Sequence, residues 1–216
     1  MIKRYLEPED VAAEVLFGLI MALTFTLGAT LATASGPERY MEIVRGTVTC
    51  NIAWGVIDGT LYLLTEVFTL GRTGLRISRV KRARSDAEAI ERIRATFHDR
   101  FSPITTHEER ERIYAEIRRL VLRMDAPPPR PTRGSVAGAV IVFLLVSATS
   151  LPVLLPAILA PDRAIALEIS NGLLIVGLFA TGYAMARIVE RPAIRVGLAM
   201  AAIGLVLVAV AKALGG

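Results

Sequence analysis

Four polar residues, Glu14, Asn51, Asp58 and Glu66, lie within or beside long apolar stretches of the sequence. An Asp at the centre of a membrane helix costs about 2.5–3.5 kcal/mol on insertion scales, so such a group faces protein or water. Asp58 is about twelve residues from either end of its apolar stretch, or roughly 18 Å at about 1.5 Å per residue. This spacing predicts a carboxylate near the bilayer midplane, where it could serve as a metal ligand and proton carrier.

Helical spacing groups these residues into two stripes. Antiparallel packing of the two helices would set Glu14 level with Glu66 near the cytoplasmic edge. It would set Met21 level with Asp58, about two turns deeper. A carboxylate beside a thioether suits a moderately soft divalent cation. The stripe on the second helix consists of Asn51, Gly55, Asp58, Tyr62 and Glu66, and that on the first consists of Glu14, Gly18, Met21, Phe25 and Gly28.

Each of these residues also has a structural explanation, which the sequence leaves open. Glu14 and Glu66 could simply reach headgroup water, and Met21 could be ordinary core. Asp58 could serve a structural hydrogen bond. Gly55 and Gly59 form a GxxxG pattern, which indicates close helix packing rather than chemistry.

A polar insert of about sixty residues, 72–133, offers a second group of carboxylates. Glu88 and Glu91 are its candidate metal ligands, because carboxylates three or four residues apart on a helix can hold a metal. Interleaved arginines favour the alternative of a solvated face with ion pairs between residues four apart. The arginines from Arg72 to Arg84 could also contact anionic headgroups of the lipid bilayer.

The composition predicts an integral membrane protein. Hydrophobic residues make up 53% of the 216-residue chain, against about 45–50% in a typical soluble domain, and the mean hydropathy is +0.52. A helix needs about 20 mostly apolar residues to span the hydrocarbon core. We therefore predict an all-α membrane protein with five transmembrane helices. The apolar stretches are residues 15–37, 46–71, 134–161, 169–186 and 196–211.

The charge distribution predicts the orientation of these spans. The insert has 16 Arg or Lys against 9 Asp or Glu, a net charge of +7, and excess basic charge marks the cytoplasmic side. The loops after the first and third spans lack such an excess. We therefore expect the N-terminus inside and Gly216 outside, in the cytoplasmic (inner) membrane.

The insert has the pattern of a short cytosolic helical segment. Apolar residues recur at three- and four-residue steps from Ile77 to Phe97, and Thr106 with Glu109 has capping-box spacing. Four prolines between residues 126 and 131 predict the end of the second helix. The predicted organisation is spans one and two in residues 1–71, the insert in 72–133, and spans three to five in 134–216.

Catalytic motifs are absent from the sequence. It has no phosphate-binding loop, Ser-His-Asp set or zinc signature. The single cysteine, Cys50, excludes an internal disulfide and a multi-cysteine metal cluster. We therefore expect no enzyme activity, no bound cofactor and no nucleic-acid partner.

Three segments resemble the vacuolar iron transporter (VIT) family, in the manner of a divergent bacterial-type member. They are FGLIMALTFTLGA from residue 17, FLLVSATSLPVLLPAIL from residue 143, and GLFATGYAMARIVERPAIRVGLAMAAIGL from residue 177. The resemblance implies five spans with a cytosolic helical insert between the second and third.

The resemblance also implies positions for transport residues. Glu14 stands at an acidic position of the family's first span, and Met21 stands where the family has an Asp. In the second span, Asn51 falls at a family Glu and Asp58 falls beside a family Met. The closest match to the Glu pairs of the family's insert is formed by Glu88 and Glu91.

Together, the residues and the resemblance predict a metal/proton antiporter that moves Fe²⁺ or Mn²⁺ out of the cytoplasm. A homodimer is expected to meet along spans one and two, because their polar groups need partners in hydrocarbon and Gly18, Gly28, Gly55 and Gly59 allow close approach. The alternative is a non-transporting VIT-like membrane scaffold or regulator. The predicted metal-interacting residues are Glu14, Met21, Asn51, Asp58, Glu66, Glu88 and Glu91.

Overall fold

A computed structural model describes residues 5–32, 37–160 and 162–213, and the regular structure in these ranges is helical. The predicted all-α class is therefore confirmed for the described part of the chain. Its helices are α1 (Pro8–Ala32), α2 (Pro37–Lys81), α3 (Asp86–Phe101), α4 (His107–Arg123), α5 (Arg133–Ala148), α6 (Leu151–Leu159), α7 (Arg163–Ile188) and α8 (Ala193–Ala213).

The chain divides into two compact units. The first, which we call the helical bundle, comprises Met1–Leu63 and Arg133–Gly216. It contains α1, the first part of α2, and α5 to α8. The second comprises Leu64–Thr132 and contains the end of α2 with α3 and α4. The basic insert of the sequence thus forms most of a unit of its own.

Three helices of the bundle are long and apolar enough to cross a membrane, in the segments Pro8–Gly28, Ile165–Ile188 and Ala193–Val210. A fourth candidate is the pair α5 and α6, bent by 43° at the break between them. These helices indicate an integral membrane protein with three or four apolar spans among the described residues. The second predicted span, residues 46–71, lies within the 45-residue α2, which is more polar than these helices. That residues 46–71 span the membrane stays a prediction.

The break between α5 and α6 has a local cause. Pro152 has no N–H, so it cannot bond to the Ala148 carbonyl as a continuous helix requires. Just before the break, the N–H groups of Thr149 and Ser150 bond to carbonyls three residues back, at 3.2 Å each, and not four residues back as in an α-helix. Their hydroxyls bond to the same carbonyls at 2.6 Å. These contacts tighten the last turn of α5 and end it.

The bundle is packed around α1 and α7. Leu23 of α1 and Leu174 and Leu178 of α7 are fully buried in its main apolar cluster. The outer faces of the helices are also apolar, since Val176 is 62% exposed and Val206 is 60% exposed. Helices that are hydrophobic all round belong in the core of a large protein or in lipid. The exposed faces of this bundle therefore fit a lipid environment.

The second unit has a small core of its own. Tyr114 of α4 is fully buried, and Val80, Ala89 and Ile93 are buried with it. The helix α4 begins at a capping box between Thr106 and its third helical residue, Glu109, as the sequence predicted. It ends at Arg123, shortly before the prolines.

Close packing of α2 against α5 depends on glycine. A Cβ added at Gly59 would lie 2.8 Å from the carbonyl oxygen of Ala139. A Cβ added at Gly55 would lie 2.8 Å from the carbonyl oxygen of Phe143. Small residues at this spacing let two helix backbones approach closely. The GxxxG pattern therefore mediates the packing of α2 against α5 within one chain.

The expectation that Gly18, Gly55 and Gly59 meet a second chain is wrong, because each is covered from within the bundle. The side chain of Thr149 lies against Gly18, just as α5 lies against Gly55 and Gly59. Gly28 differs, since no atom of the described residues lies within 4 Å of an added Cβ there.

Replacing Gly59 by Ala should destabilise the protein by about 1–3 kcal/mol, because the new methyl group meets backbone that cannot swing aside. Gly28→Ala is the matched control. It should be neutral or stabilising, since Ala is a better helix former than Gly by about 1 kcal/mol. Thermal unfolding of the purified variants in detergent measures both, and equal transition temperatures would contradict the close contact between α2 and α5.

Candidate functional site

Asn51 of α2 is fully buried where α2 meets α1 and the broken α5–α6 span. Its Nδ2 donates to the hydroxyl oxygen of Thr149 at 2.9 Å and lies 3.5 Å from the Gly18 carbonyl oxygen. The Thr149 hydroxyl donates its own proton to the Val146 carbonyl at 2.6 Å. Thr149 can therefore only accept from Asn51, which fixes the orientation of the amide.

Two buried oxygen atoms beside this junction have no hydrogen-bond partner among the described residues: Asn51 Oδ1 and Ser147 Oγ. Gly55 lies one turn from Asn51 and faces Ser147. A Cβ added at Gly55 would lie 2.9 Å from Ser147 Oγ. The missing side chain of Gly55 thus lets Ser147 of α5 lie directly against α2.

Contacts between α1 and α2 fix how the two antiparallel helices are aligned. Asn51 lies beside Gly18, and the Tyr62 hydroxyl donates to the Tyr5 carbonyl at 2.8 Å. Asp58 lies between Asn51 and Tyr62 on α2. It is therefore level with the first turns of α1.

This alignment corrects the predicted depth of Asp58. Gly18 is the middle residue of the apolar segment Pro8–Gly28, so Asn51 and not Asp58 marks the middle of the bundle. Asp58 is about 10 Å further along α2, towards the N-terminal end of α1. The prediction failed because α2 continues as a helix from Pro37 to Lys81, so the ends of its apolar stretch do not mark the membrane edges.

The predicted pairing of Met21 with Asp58 across the two helices is also wrong. Met21 and Asp58 lie on opposite sides of the level at which Gly18 meets Asn51. They are about 15 Å apart along the helix axis. Glu14 is level with Gly55 of α2, whereas its predicted partner Glu66 belongs to the second unit. The cause is the same, since the pairs were aligned on the ends of the apolar stretches instead of on the contact between Asn51 and Gly18.

Glu14 comes close to Asp58 instead. The charge of Asp58 acts on Glu14, with a smaller effect from Asp10. Asp58 Oδ2 is buried with no hydrogen-bond partner in the described ranges. The sequence proposed both carboxylates, and the structure places them together on the side of Asn51 that faces the N-terminal end of α1.

Further polar groups lie on the other side of Asn51, towards the C-terminal end of α1. The Thr26 hydroxyl oxygen is 2.9 Å from Asn171 Oδ1 of α7. Thr26 and Ser170, the residue that precedes Asn171, are fully buried. Polar groups therefore occur at three successive levels of the bundle, and we call this set the polar seam. It consists of Glu14, Asp58, Asn51, Ser147, Thr149, Thr26 and Asn171.

The sequence pattern did not indicate Ser147, Thr149, Thr26 and Asn171, because uncharged side chains do not interrupt an apolar stretch. One signal was available. The run Ser147-Ala148-Thr149-Ser150 directly precedes Leu-Pro inside a predicted span. Hydroxyl side chains next to a proline often bond to the backbone that the proline leaves unpaired.

The two predicted metal ligands of the insert, Glu88 and Glu91, are engaged in ion pairs. Glu88 accepts from the Arg84 N–H at 2.7 Å and pairs with Arg92 at 2.5 Å, while Glu91 pairs with Arg94. The hydrogen bond from the Arg84 backbone is the main reason that the pKa of Glu88 is lowered. These contacts favour the alternative of a solvated, ion-paired face. Among the residues that the structure describes, no three His, Cys, Asp or Glu side chains are grouped to hold a metal ion.

Residues 79–216 match the model of the VIT family. The matched region is more than half of the chain and extends from the end of α2 to the C-terminus. The chain belongs to the VIT family. The resemblance in its last three spans is thereby confirmed. No curated protein matches the sequence.

Membership of the VIT family implies transport of metal ions across a membrane, and the family consists of transporters rather than enzymes. The exposed apolar helices agree with an integral membrane location. The family match begins at residue 79, so Glu14, Asn51 and Asp58 lie outside it. Their geometry is therefore the only evidence on the function of these three residues.

Proposed function

We propose that the protein is an antiporter that moves Fe²⁺ or Mn²⁺ out of the cytoplasm in exchange for protons. The polar seam is the observation that carries this proposal. Its charged members, Glu14 and Asp58, lie near the N-terminal end of α1, and Asn51 lies at the middle. Polar and ionisable groups inside membrane helices commonly mark an ion pathway. A VIT-family bundle with such a seam fits metal transport better than a passive scaffold.

Glu14 and Asp58 are the groups that could couple the metal to protons. A metal ion binds the ionised form of a carboxylate, so its arrival displaces protons. When the metal moves on, the carboxylates can take protons up again from the other side. Metal and protons then travel in opposite directions through the same pair of side chains. Glu88 and Glu91 have no part in this step, because their carboxylates are paired with arginine.

We propose five spans, with the first part of α2 as the second span. Its face towards α5 carries Asn51 and Gly55, while Ile52, Val56 and Ile57 are exposed on its surface. Apolar residues on the exposed face fit contact with lipid. We propose that the N-terminus and the second unit lie on the cytoplasmic side of the inner membrane, because the insert has an excess of basic residues. This topology puts the C-terminus outside, at Gly216, which is beyond the described residues.

We also propose a homodimer that meets along α1 and α2. Phe17 and Trp54 pack edge to face, with ring centroids 5.7 Å apart, and are 46% and 38% exposed. Exposed aromatic side chains are frequent anchors of protein interfaces. The support comes from this pair and not from Asn51, which finds a partner within its own chain.

One introduced cysteine can test both the membrane orientation and the proposed dimer. Gly28→Cys in a Cys50→Ala background introduces a thiol at the proposed outer end of α1, where none of the described residues crowds it. A membrane-impermeant bifunctional maleimide added outside should give a cross-linked dimer. Ala115→Cys, on the exposed surface of α4, is the control and should react only after the membrane is opened. Labelling of Gly28→Cys without a dimer contradicts the proposed interface, and labelling only from inside contradicts the topology.

Asp58→Asn should abolish proton-driven uptake of Mn²⁺ and Fe²⁺ into proteoliposomes, because the amide can neither exchange a proton nor supply charge. Glu14→Gln should weaken metal capture by about tenfold or more, as is typical when a group that supports a metal site is lost. The measurement is initial flux against metal concentration at two pH values.

Asp125→Asn, an exposed position in the second unit, is the matched control and should transport like the parent. If Asp58→Asn transports as well as the parent with the same pH dependence, the proposed coupling is wrong. If the parent itself carries no metal, the scaffold alternative is the better explanation.

A further inference from the structure

A cavity of about 670 Å³ lies within the second unit, between the end of α2 and the helices α3 and α4. Sites for small molecules commonly have volumes of about 300–1,000 Å³ and mostly apolar linings. The buried side chains of Ile77, Val80 and Ile93 line this cavity. On α4 it is lined by Leu120 and Met124, which are 50% and 49% exposed. The cavity therefore joins a buried apolar wall to apolar side chains that stand half open to solvent.

The charged residues of the described chain that line this cavity are Arg76 and Arg79 of α2 and Arg92 of α3. The charge of Arg92 is compensated, because its guanidinium pairs with Glu88 at 2.5 Å and also donates to the Arg79 carbonyl. Arg76 and Arg79 are exposed and form no ion pair with a described residue. They are three residues apart, so they share one face of α2. The cavity thus has two uncompensated positive charges beside an apolar interior.

An occupant of this cavity has to match both its apolar wall and its charge. A hydrocarbon chain would cover Leu120 and Met124, and a phosphate would accept charge-assisted hydrogen bonds from the two free guanidinium groups. A second copy of the chain fits less well. Twofold symmetry would bring Arg76 and Arg79 of both copies towards each other, and no acidic residue of the described lining would offset that repulsion. The cavity therefore favours an anionic amphiphile.

The position of the cavity along the chain favours a membrane lipid as that amphiphile. Its first lining residue, Thr73, follows the end of the predicted second span, Gly71, by two residues of the same helix. Two residues correspond to about 3 Å along a helix. Basic clusters directly cytoplasmic of a membrane helix are typical of binding to anionic phospholipids. This step rests on the five-span topology proposed above, whereas the cavity and its charges do not.

We propose that the cavity binds an anionic phospholipid, with an acyl chain among the apolar side chains of α2, α3 and α4 and the phosphate on Arg76 and Arg79. The bound lipid would contact all three helices of the second unit and would stabilise their packing. None of the lining residues belongs to the polar seam, so this lipid site is separate from the proposed path of the metal.

Fluorescence quenching tests the lipid site in the purified full-length protein in detergent. Trp54→Phe removes the single tryptophan, and Phe97→Trp introduces a reporter into the lining of the cavity. Phosphatidylglycerol with brominated acyl chains should quench this reporter at lower concentrations than phosphatidylcholine with the same chains. Leu120→Trp is a second reporter, which disturbs the core less because Leu120 is half exposed. Quenching reports on a lipid chain in the cavity and not on lipid around the bundle.

The charge requirement is tested by removing the two free arginines in the reporter protein. Arg76→Gln together with Arg79→Gln should weaken phosphatidylglycerol binding by about thirtyfold, the loss expected for two basic contacts to an anionic lipid. Arg72→Gln together with Lys81→Gln is the matched control, because it removes two charges from the same helix outside the cavity. This control should bind phosphatidylglycerol like the parent.

The requirement for an apolar space is tested by filling the cavity. Ala95 lines it at an exposed position of α3, so Ala95→Phe should weaken phosphatidylglycerol binding without changing charge. Ala115→Phe is the matched control, on the exposed surface of α4 and outside the cavity. It should leave phosphatidylglycerol binding unchanged.

Several results would overturn the lipid site. Equal loss of binding in the arginine pair and its control would show only general attraction of a basic helix to anionic lipid. Unchanged binding in Ala95→Phe would exclude an acyl chain from the cavity. Displacement of the brominated lipid by glycerol phosphate, or by laurate at lower concentration than phosphatidylglycerol, would assign the site to a free anion or a fatty acid. A protein dimer in light scattering, with no quenching at either reporter, would identify a second copy as the occupant.

The labelling experiment on Gly28→Cys and Ala115→Cys separates this site from the proposed topology. Specific binding of phosphatidylglycerol with Ala115→Cys labelled from outside would retain the lipid site and contradict the topology. Labelling as expected, with no specific quenching, would retain the topology and contradict the lipid site.

Discussion

The hydrogen bond from Asn51 to Thr149 is the constraint on which the rest of the bundle depends. It joins the middle of α2 to the break in the α5–α6 span, and the same amide lies against the backbone of α1 at Gly18. An amide that lost these partners in hydrocarbon would be left unsatisfied, at a cost of several kcal/mol. The three segments are therefore held at one level, and the positions of the other polar residues follow from it.

Close packing and polarity depend on each other at this point. Gly55 and Gly59 bring α2 near enough to α5 for the Asn51 side chain to reach Thr149, and the hydrogen bond in turn holds the two helices in register. Bulky residues at these glycines would separate the helices and leave the amide unpaired. Membrane helices have no hydrophobic force to drive them together, so small residues and hydrogen bonds carry more of their specificity.

The same alignment determines where the charged side chains of the bundle lie. Once Asn51 is level with Gly18, Asp58 is brought to the first turns of α1, where its charge acts on Glu14. Neutral oxygens then occupy the middle of the bundle, and the carboxylates lie to one side. In the proposed direction of transport, an ion that followed the polar seam would meet the carboxylates first and the neutral oxygens afterwards.

Local and compositional features of the fold could be predicted from the sequence. Long apolar stretches gave the all-α membrane class, and the spacing of Thr106 and Glu109 gave the start of α4. The depth of Asp58 could not be predicted in this way, because it depends on which residue of α1 meets Asn51. The roles of Ser147 and Thr149 could not be predicted for a related reason. A hydroxyl in an apolar helix becomes informative only when the helix it faces is known.

The coupling between Asn51 and Thr149 is the quantity that tests this constraint most directly. It is obtained from the free energies of unfolding, in detergent, of the parent, Asn51→Ala, Thr149→Val and the double variant. We expect the double variant to be less destabilised than the sum of the single variants by about 0.6–1.7 kcal/mol, from the average to the largest value found for hydrogen bonds between membrane helices. Fully additive effects would contradict a direct bond between the two side chains and the alignment of α1, α2 and α5 that follows from it.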